Sequence, residues 1–134
     1  MEKRFWFDAD AGMMAAAGKV AVDLKRCATA PACLEHTPRL VVGGNGVSGQ
    51  AFIDNAAFRQ YVFKTFEAHV LDMETAAIAT VAYANVVPFI AFRSLSDLAG
   101  GGEGVNQIRT FFQLASDNSA AVVQRFLALW TPPR

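Results

Sequence analysis

The chain reads as an α/β domain with a mainly parallel sheet, and three observations predict it. Stretches with strand character alternate with stretches of helical periodicity from one end of the 134 residues to the other. The run "RLVVGG" is apolar without alternation, as a strand buried on both faces would be. Apolar residues make up 53% of the chain, with 11 Phe, which suits a sheet covered on both faces or a large subunit interface. The length allows one domain with a core of its own, 1–134, and no internal linker or repeat divides it.

The elements follow in order. "RFWFDAD" reads as a short strand or extended entry. Met13, Ala17, Val20 and Leu24 then recur at spacings of four, three and four, predicting a helix from Asp10, as N-cap, to about Arg26. Residues 27–38 read as loop, and 39–44 as the apolar strand. After a glycine-rich crossing, a helix is predicted from about Asn55 to Glu67 with Phe58, Val62 and Phe66 on one face. "AHVLDM" reads as the next strand. An alanine-rich helix over 74–85 is expected to bury Ala77, Ile78, Val81 and Ala82. Pro88 opens the strand "PFIAFRSLS", "DLAGGGEG" is a glycine-rich loop, and a long helix runs from about Val105 to Trp130. Ile108, Phe112, Ala115, Val122, Phe126 and Trp130 lie near one face, and "TPPR" ends it.

Several classes of function are disfavoured by composition. Twelve basic and twelve acidic residues leave no net charge and no basic patch for a nucleic acid or a membrane surface. No apolar run is long enough to span a bilayer, and "MEKRFWFDAD" lacks the apolar core of a secretory signal. This leaves a cytoplasmic or periplasmic location open. Two histidines and two cysteines offer no metal-ligand spacing, and no cofactor is expected. Cys27 and Cys33 read either as two thiols or as a small-loop disulfide, and a disulfide would imply an oxidising compartment. His36 and His69 read as structural.

Gly44, Gly46 and Gly49 spell G-x-G-x-x-G after a strand. The following helix is predicted only near Asn55, so its N-terminus would not meet a pyrophosphate. The glycines read instead as a place where backbone passes close to a ligand or a neighbouring strand. Ser48 precedes Gly49 directly and does not form a G-x-S-x-G elbow. Two carboxylates stand at strand ends, where α/β proteins bind ligands. Glu74 is either a carboxylate favoured by the helix dipole or a clamp for two adjacent hydroxyls. Asp97 is either a loop carboxylate or a general acid. Phe52 and Ile53 read as core residues or as a platform for a flat ring. Arg93 and Arg109 read as salt-bridge partners or anion ligands.

Three motifs resemble the nucleoside phosphorylase and nucleosidase superfamily. They are Ser48-Gly49-Gln50-Ala51-Phe52-Ile53, Met73-Glu74-Thr75-Ala76-Ala77 and Arg93-Ser94-Leu95-Ser96-Asp97, in the family's order. Within it the chain looks most like methylthioadenosine/S-adenosylhomocysteine nucleosidases and their storage-protein-like relatives. The resemblance covers most of 39–130 and corresponds to the C-terminal portion of the family's domain. It implies a phosphorylase/hydrolase-like, three-layer fold with a mixed, mainly parallel sheet flanked by helices, truncated at the N-terminus. It implies cleavage of the N-glycosidic bond of a purine nucleoside, hydrolytic rather than phosphorolytic, by an enzyme incomplete without an N-terminal half. Asp97, helped by Ser96, would hydrogen-bond or protonate N7 of the base. Glu74 would hold the ribose hydroxyls with Met73 against the sugar, Phe52 would stack on the base, and the Ile53 backbone would read its edge. Arg93 joins the substrate-binding set. Gln50 stands where such nucleosidases usually carry an acidic residue. The storage-like branch also favours a Cys27–Cys33 disulfide. The alternative is a nucleoside-binding or storage-type protein without turnover, and a third reading is an inert product that folds only as an oligomer. A homodimer or higher homo-oligomer is expected, because sheet edges and Phe-rich helices need cover.

Overall fold

A computed structural model describes residues 4–29, 32–100 and 108–132. The elements are α1 (Ala11–Ala17), β1 (Cys27–Thr29), β2 (Ala32–Cys33), β3 (Asn45–Ser48), α2 (Ala56–Phe66), β4 (Ala68–Asp72), α3 (Thr75–Ala84) and α4 (Ile108–Leu129). The class is α/β, as predicted. β3 and β4 pair in parallel, with α2 as the crossover between them, and β1 and β2 form a separate antiparallel hairpin.

Helix starts obey local chemistry. Asp10 caps α1 by accepting from Met13 N at 2.8 Å, and Asn55 caps α2 by accepting from Phe58 N at 2.9 Å. Helix α2 ends where Glu67 takes a left-handed conformation at φ 51° and its N–H bonds back to Phe63 O.

The first helix is much shorter than its periodicity predicts. It closes at Ala17 rather than Arg26, and the chain beyond Gly18 turns away as an extended strip. The reason is tertiary. Lys25 N donates to Asn118 Oδ1 at 2.8 Å, and Asn118 Nδ2 donates to Lys25 O at 2.9 Å. One buried side chain on α4 thus satisfies both backbone groups of Lys25, which a helix would have used internally. Val20 folds back onto the Met13, Ala16, Ala17 and Phe126 cluster, joined by Ile90, Phe92 and Trp130.

Within the stretch expected to be loop, 27–38, Cys27–Thr29 and Ala32–Cys33 pair as β1 and β2, and a Cys27–Cys33 disulfide joins positions that are paired in register. Of the two open alternatives for these cysteines, the disulfide is the one the structure holds.

Two predicted strands lack ladder partners, and Gly43 and Gly44 end the first at φ 98° and 94°. Residues 39–44 run up to the sheet, yet pairing begins at Asn45; residues 88–96 are extended without assigned strand pairing. Among the described residues, the backbone of 40–42 and of 90–92 makes no hydrogen bond to other backbone, while Phe89 O accepts from Asp10 N at 2.7 Å. Apolar patterning selects extended backbone here, but a ladder also needs a partner at 4.7–4.9 Å. Between these segments lies an open trough of about 770 Å³, lined by Val41, Ile90, Phe92 and Val122 among others.

Two helix faces also differ from expectation. Ala79 is the buried residue of α3, whereas Ile78 and Val81 are 57% and 63% exposed and Ala77 is exposed as well. On α4 the buried stripe is Leu114, Asn118, Val122 and Phe126, and Phe112 faces outward. The polar Asn118 hides this stripe from a count of apolar residues. The predicted first turn of the last helix and Gly101, Gly102 and Gly104 lie outside the described residues.

Replacing Asn118 with Ala leaves Lys25 N–H and C=O unpaired in a half-buried strip. We expect a loss of about 1–3 kcal/mol in urea unfolding, against about 0.5 kcal/mol or less for Ser116→Ala on the exposed face of the same helix.

Candidate functional site

The parallel pair β3–β4 aligns Ser48 with Asp72, so both strands end at one edge. Backbone geometry permits the close approach. Gly44 has φ +94°, and a Cβ built on it would lie 3.2 Å from His69 Nδ1 of β4. This is the packing role expected of the glycines. Helix α2 begins at Ala56, well past Gly49, so no pyrophosphate site forms at its N-terminus.

At that edge Asp72 gathers five donors. Its Oδ1 accepts from Ser48 Oγ, from Glu74 N at 3.3 Å and from Thr75 N at 3.1 Å. Its Oδ2 accepts from Thr75 Oγ1 and pairs with Arg93 Nε at 2.7 Å. Ser48 Oγ in turn accepts from Ala76 N at 2.9 Å. The first N–H groups of α3 are therefore satisfied by Asp72 and Ser48, not by the Glu74 side chain, which makes no capping bond. Arg93 reaches across from the 88–96 segment. Its Nε and one terminal nitrogen donate to Thr75 Oγ1 at 3.0 and 2.7 Å, and that nitrogen lies 3.4 Å from Glu74 Oε2. Glu74 stays open, with its side chain 55% exposed, whereas the Asp72 side chain is 11% exposed.

A second cluster lies three residues beyond Arg93. Ser96 Oγ donates to Asp97 Oδ1 at 2.9 Å, and Ala99 N donates to Asp97 Oδ2 at 3.0 Å. The turn holding them is fastened to α2, because Arg59 donates to Leu98 O. Gly100, at φ +82°, sits so close that a Cβ there would be 2.7 Å from Ala56 N and 2.9 Å from Asn55 N. Asp97 is thereby carried beside the chain that has just passed Phe52 and Ile53.

The expected residues are thus gathered unevenly. Glu74 and Arg93 form one cluster, and Ser96 and Asp97 another. Phe52 is 58% and Met73 45% exposed, and Ile53 is half-buried. Among the described residues, no hydrogen bond or ring contact ties these three to either cluster. Arg109 is exposed on the first turn of α4. The large trough shares Ser48, Asp72, Thr75 and Arg93 with the first cluster, but its lining does not include Glu74, Ser96 or Asp97. Sequence reasoning overlooked Asp72, and it placed Ser48 and Thr75 in motifs without giving them a role here. An Asp ending a strand just ahead of a helix start was the available signal.

Burial pulls the Asp72 carboxyl upward, but hydrogen bonds from Ser48 and Thr75 and the Arg93 guanidinium outweigh it, so the group titrates below the ordinary 3.8. A lowered folded-state pKa stabilises fully above the unfolded value and is lost as pH falls through the folded one. Thermal unfolding between pH 6 and pH 2 checks this. Wild type is expected to lose stability progressively from about pH 5 downward, and Asp72→Asn to lose less over that window.

Comparison with known proteins identifies a family. The family model described as the phosphorylase superfamily matches residues 3–128. A 5'-methylthioadenosine/S-adenosylhomocysteine nucleosidase of Treponema pallidum (strain Nichols) is 38% identical over 88 residues, covering 65% of this chain and 33% of that protein. The protein of the same name from Staphylococcus aureus (strain JH9) is 36% identical over 83 residues, covering 61% of this chain and 36% of its own length. The matched region thus spans about a third of the length of these curated relatives. No solved structure matches. A match across nearly all of the chain shows that this chain belongs to the phosphorylase superfamily.

Proposed function

We propose that this chain supplies the base and ribose subsites for cleavage of a purine nucleoside's N-glycosidic bond, by hydrolysis rather than phosphorolysis. The observation that carries the reading is the pair of differently dressed carboxylates on neighbouring chain segments. Glu74 is exposed and uncommitted apart from Arg93, as a diol clamp must be. Asp97 is half-buried and held by Ser96 and Ala99 beside the start of α2. The names of the relatives, methylthioadenosine/S-adenosylhomocysteine nucleosidases, support the same substrate class.

In this reading the C1′–N9 bond breaks as positive charge builds on the ribose. Asp97, with Ser96 orienting it, shares or donates a proton at N7, so the base leaves neutral. Glu74 accepts hydrogen bonds from the 2′- and 3′-hydroxyls, whose polarity grows with the charge on the sugar. Met73 packs on the sugar, Phe52 stacks on the base, and the Ile53 backbone meets its edge. The chain acts as the C-terminal portion of a three-layer nucleoside phosphorylase-like domain, and water activation at C1′ falls to an N-terminal half.

Incubation with methylthioadenosine, S-adenosylhomocysteine and inosine, with and without phosphate, tests the reaction, with free base measured by chromatography. The chain is assayed alone and with the N-terminal portion of one of the Staphylococcus relatives. We expect phosphate-independent release that Asp97→Asn lowers by about 10²–10⁴-fold. Binding without release in either format would leave a nucleoside-binding protein, and neither binding nor release would overturn the reading.

We further propose a homodimer or higher homo-oligomer, because Ile78 and Val81 of α3 with Val86 and Val87 beyond it form an exposed apolar surface. An unfolding midpoint that rises with protein concentration is expected, and a concentration-independent midpoint with a monomer mass in sedimentation contradicts it.

A further inference from the structure

We propose that Asp72 is a positioning residue that holds the Arg93 guanidinium back from Glu74 and so keeps that carboxylate free for two vicinal hydroxyls of a ribose. The inference rests on the nucleoside reading above and assigns a role to a residue outside the three motif sets. Two carboxylates flank one guanidinium at unequal range. Asp72 Oδ2 lies 2.7 Å from Nε, and Glu74 Oε2 lies 3.4 Å from a terminal nitrogen. Thr75 locks the arrangement. Its hydroxyl accepts from both of those Arg93 nitrogens and donates its single proton to Asp72, which exhausts what a hydroxyl can do.

With five donors converging on it, Asp72 has no accepting capacity left for a ligand. Glu74 does. The network therefore divides the work. The buried carboxylate neutralises the arginine, and the exposed one stays open to solvent carrying a charge that the arginine steadies but does not consume. Without the charge of Asp72, Glu74 is, among the described residues, the carboxylate still paired with Arg93. The guanidinium would then close onto it as a two-bonded pair and occupy the lone pairs that a diol needs.

The test compares adenosine, 2′-deoxyadenosine and adenine by titration calorimetry, on an Asp97→Asn background so that no nucleoside is consumed. The background protein is expected to prefer adenosine over 2′-deoxyadenosine by about tenfold, the worth of a hydrogen bond to a charged group. Adding Asp72→Asn should erase that preference while leaving adenine affinity unchanged, and Asp72→Glu should restore part of it. A merely structural role would weaken all three ligands together. Thr75→Val, which loosens the same arginine without touching the strand, should reduce the preference in the same direction if the Asn variant does not fold.

The Arg93 Nε–Hε proton gives a second readout that needs no ligand. Its exchange with water should be slow in wild type and in Asp72→Glu, and about tenfold faster in Asp72→Asn. A ribose preference that survives Asp72→Asn overturns the proposal, whatever the exchange rate does. Should the background protein bind none of the three ligands, the nucleoside reading fails, and unchanged exchange in Asp72→Asn then overturns the positioning role separately.

Discussion

The pairing of Asp72 with Arg93 is the contact on which the candidate site depends. It joins the end of β4 to the 88–96 segment, which has no strand ladder of its own to hold it. The same carboxylate caps α3 and receives the Ser48 hydroxyl from the end of β3. Four pieces of chain are thus oriented by one half-buried ion. A carboxylate with several hydrogen-bond donors beside a guanidinium keeps its charge at modest cost, because its lost water is replaced by fixed dipoles. The exposure of Glu74 follows from this: its helix is already capped, so its side chain is left open to solvent.

A comparable device holds the other side of the molecule. Asn118, on the inner stripe of α4, pairs with both backbone groups of Lys25 and turns a helix-like sequence into a strip laid along α4. The disulfide-closed hairpin follows directly from that strip, and the Met13, Ala16, Ala17 and Phe126 cluster packs beside it. In both places one polar side chain with full hydrogen-bonding capacity decides where the backbone goes. Apolar contacts then fill in around it.

The apolar content that sets this chain apart is only partly absorbed by its core. The trough between the 39–44 and 88–96 segments is apolar along much of its wall, and the outer faces of α2 and α3 carry Tyr61, Phe63, Ile78 and Val81 in the open. Such surfaces go with association, in keeping with the oligomer proposed here. They also account for the strand-like segments that remain unpaired, since extended apolar backbone is stable in a sheet only when neighbours satisfy its N–H and C=O groups.

The sequence by itself determined the α/β class, the cap at Asp10, the helices α2 and α3 to within a residue or so, and the motifs that contain Glu74, Arg93, Ser96 and Asp97. These are local facts, written in capping chemistry, periodicity and residues a few positions apart. The early end of α1, the outward turn of Ile78 and Val81, the choice of Leu114 over Phe112 and the hub at Asp72 were decided only by tertiary structure. Each depends on a partner distant in sequence: Asn118 is 93 residues from Lys25, and Ser48 is 24 from Asp72. A pattern of spacing shows which residues can share a face, but not which face meets a neighbour, because that is set by hydrogen bonds and packing between segments that the sequence does not pair.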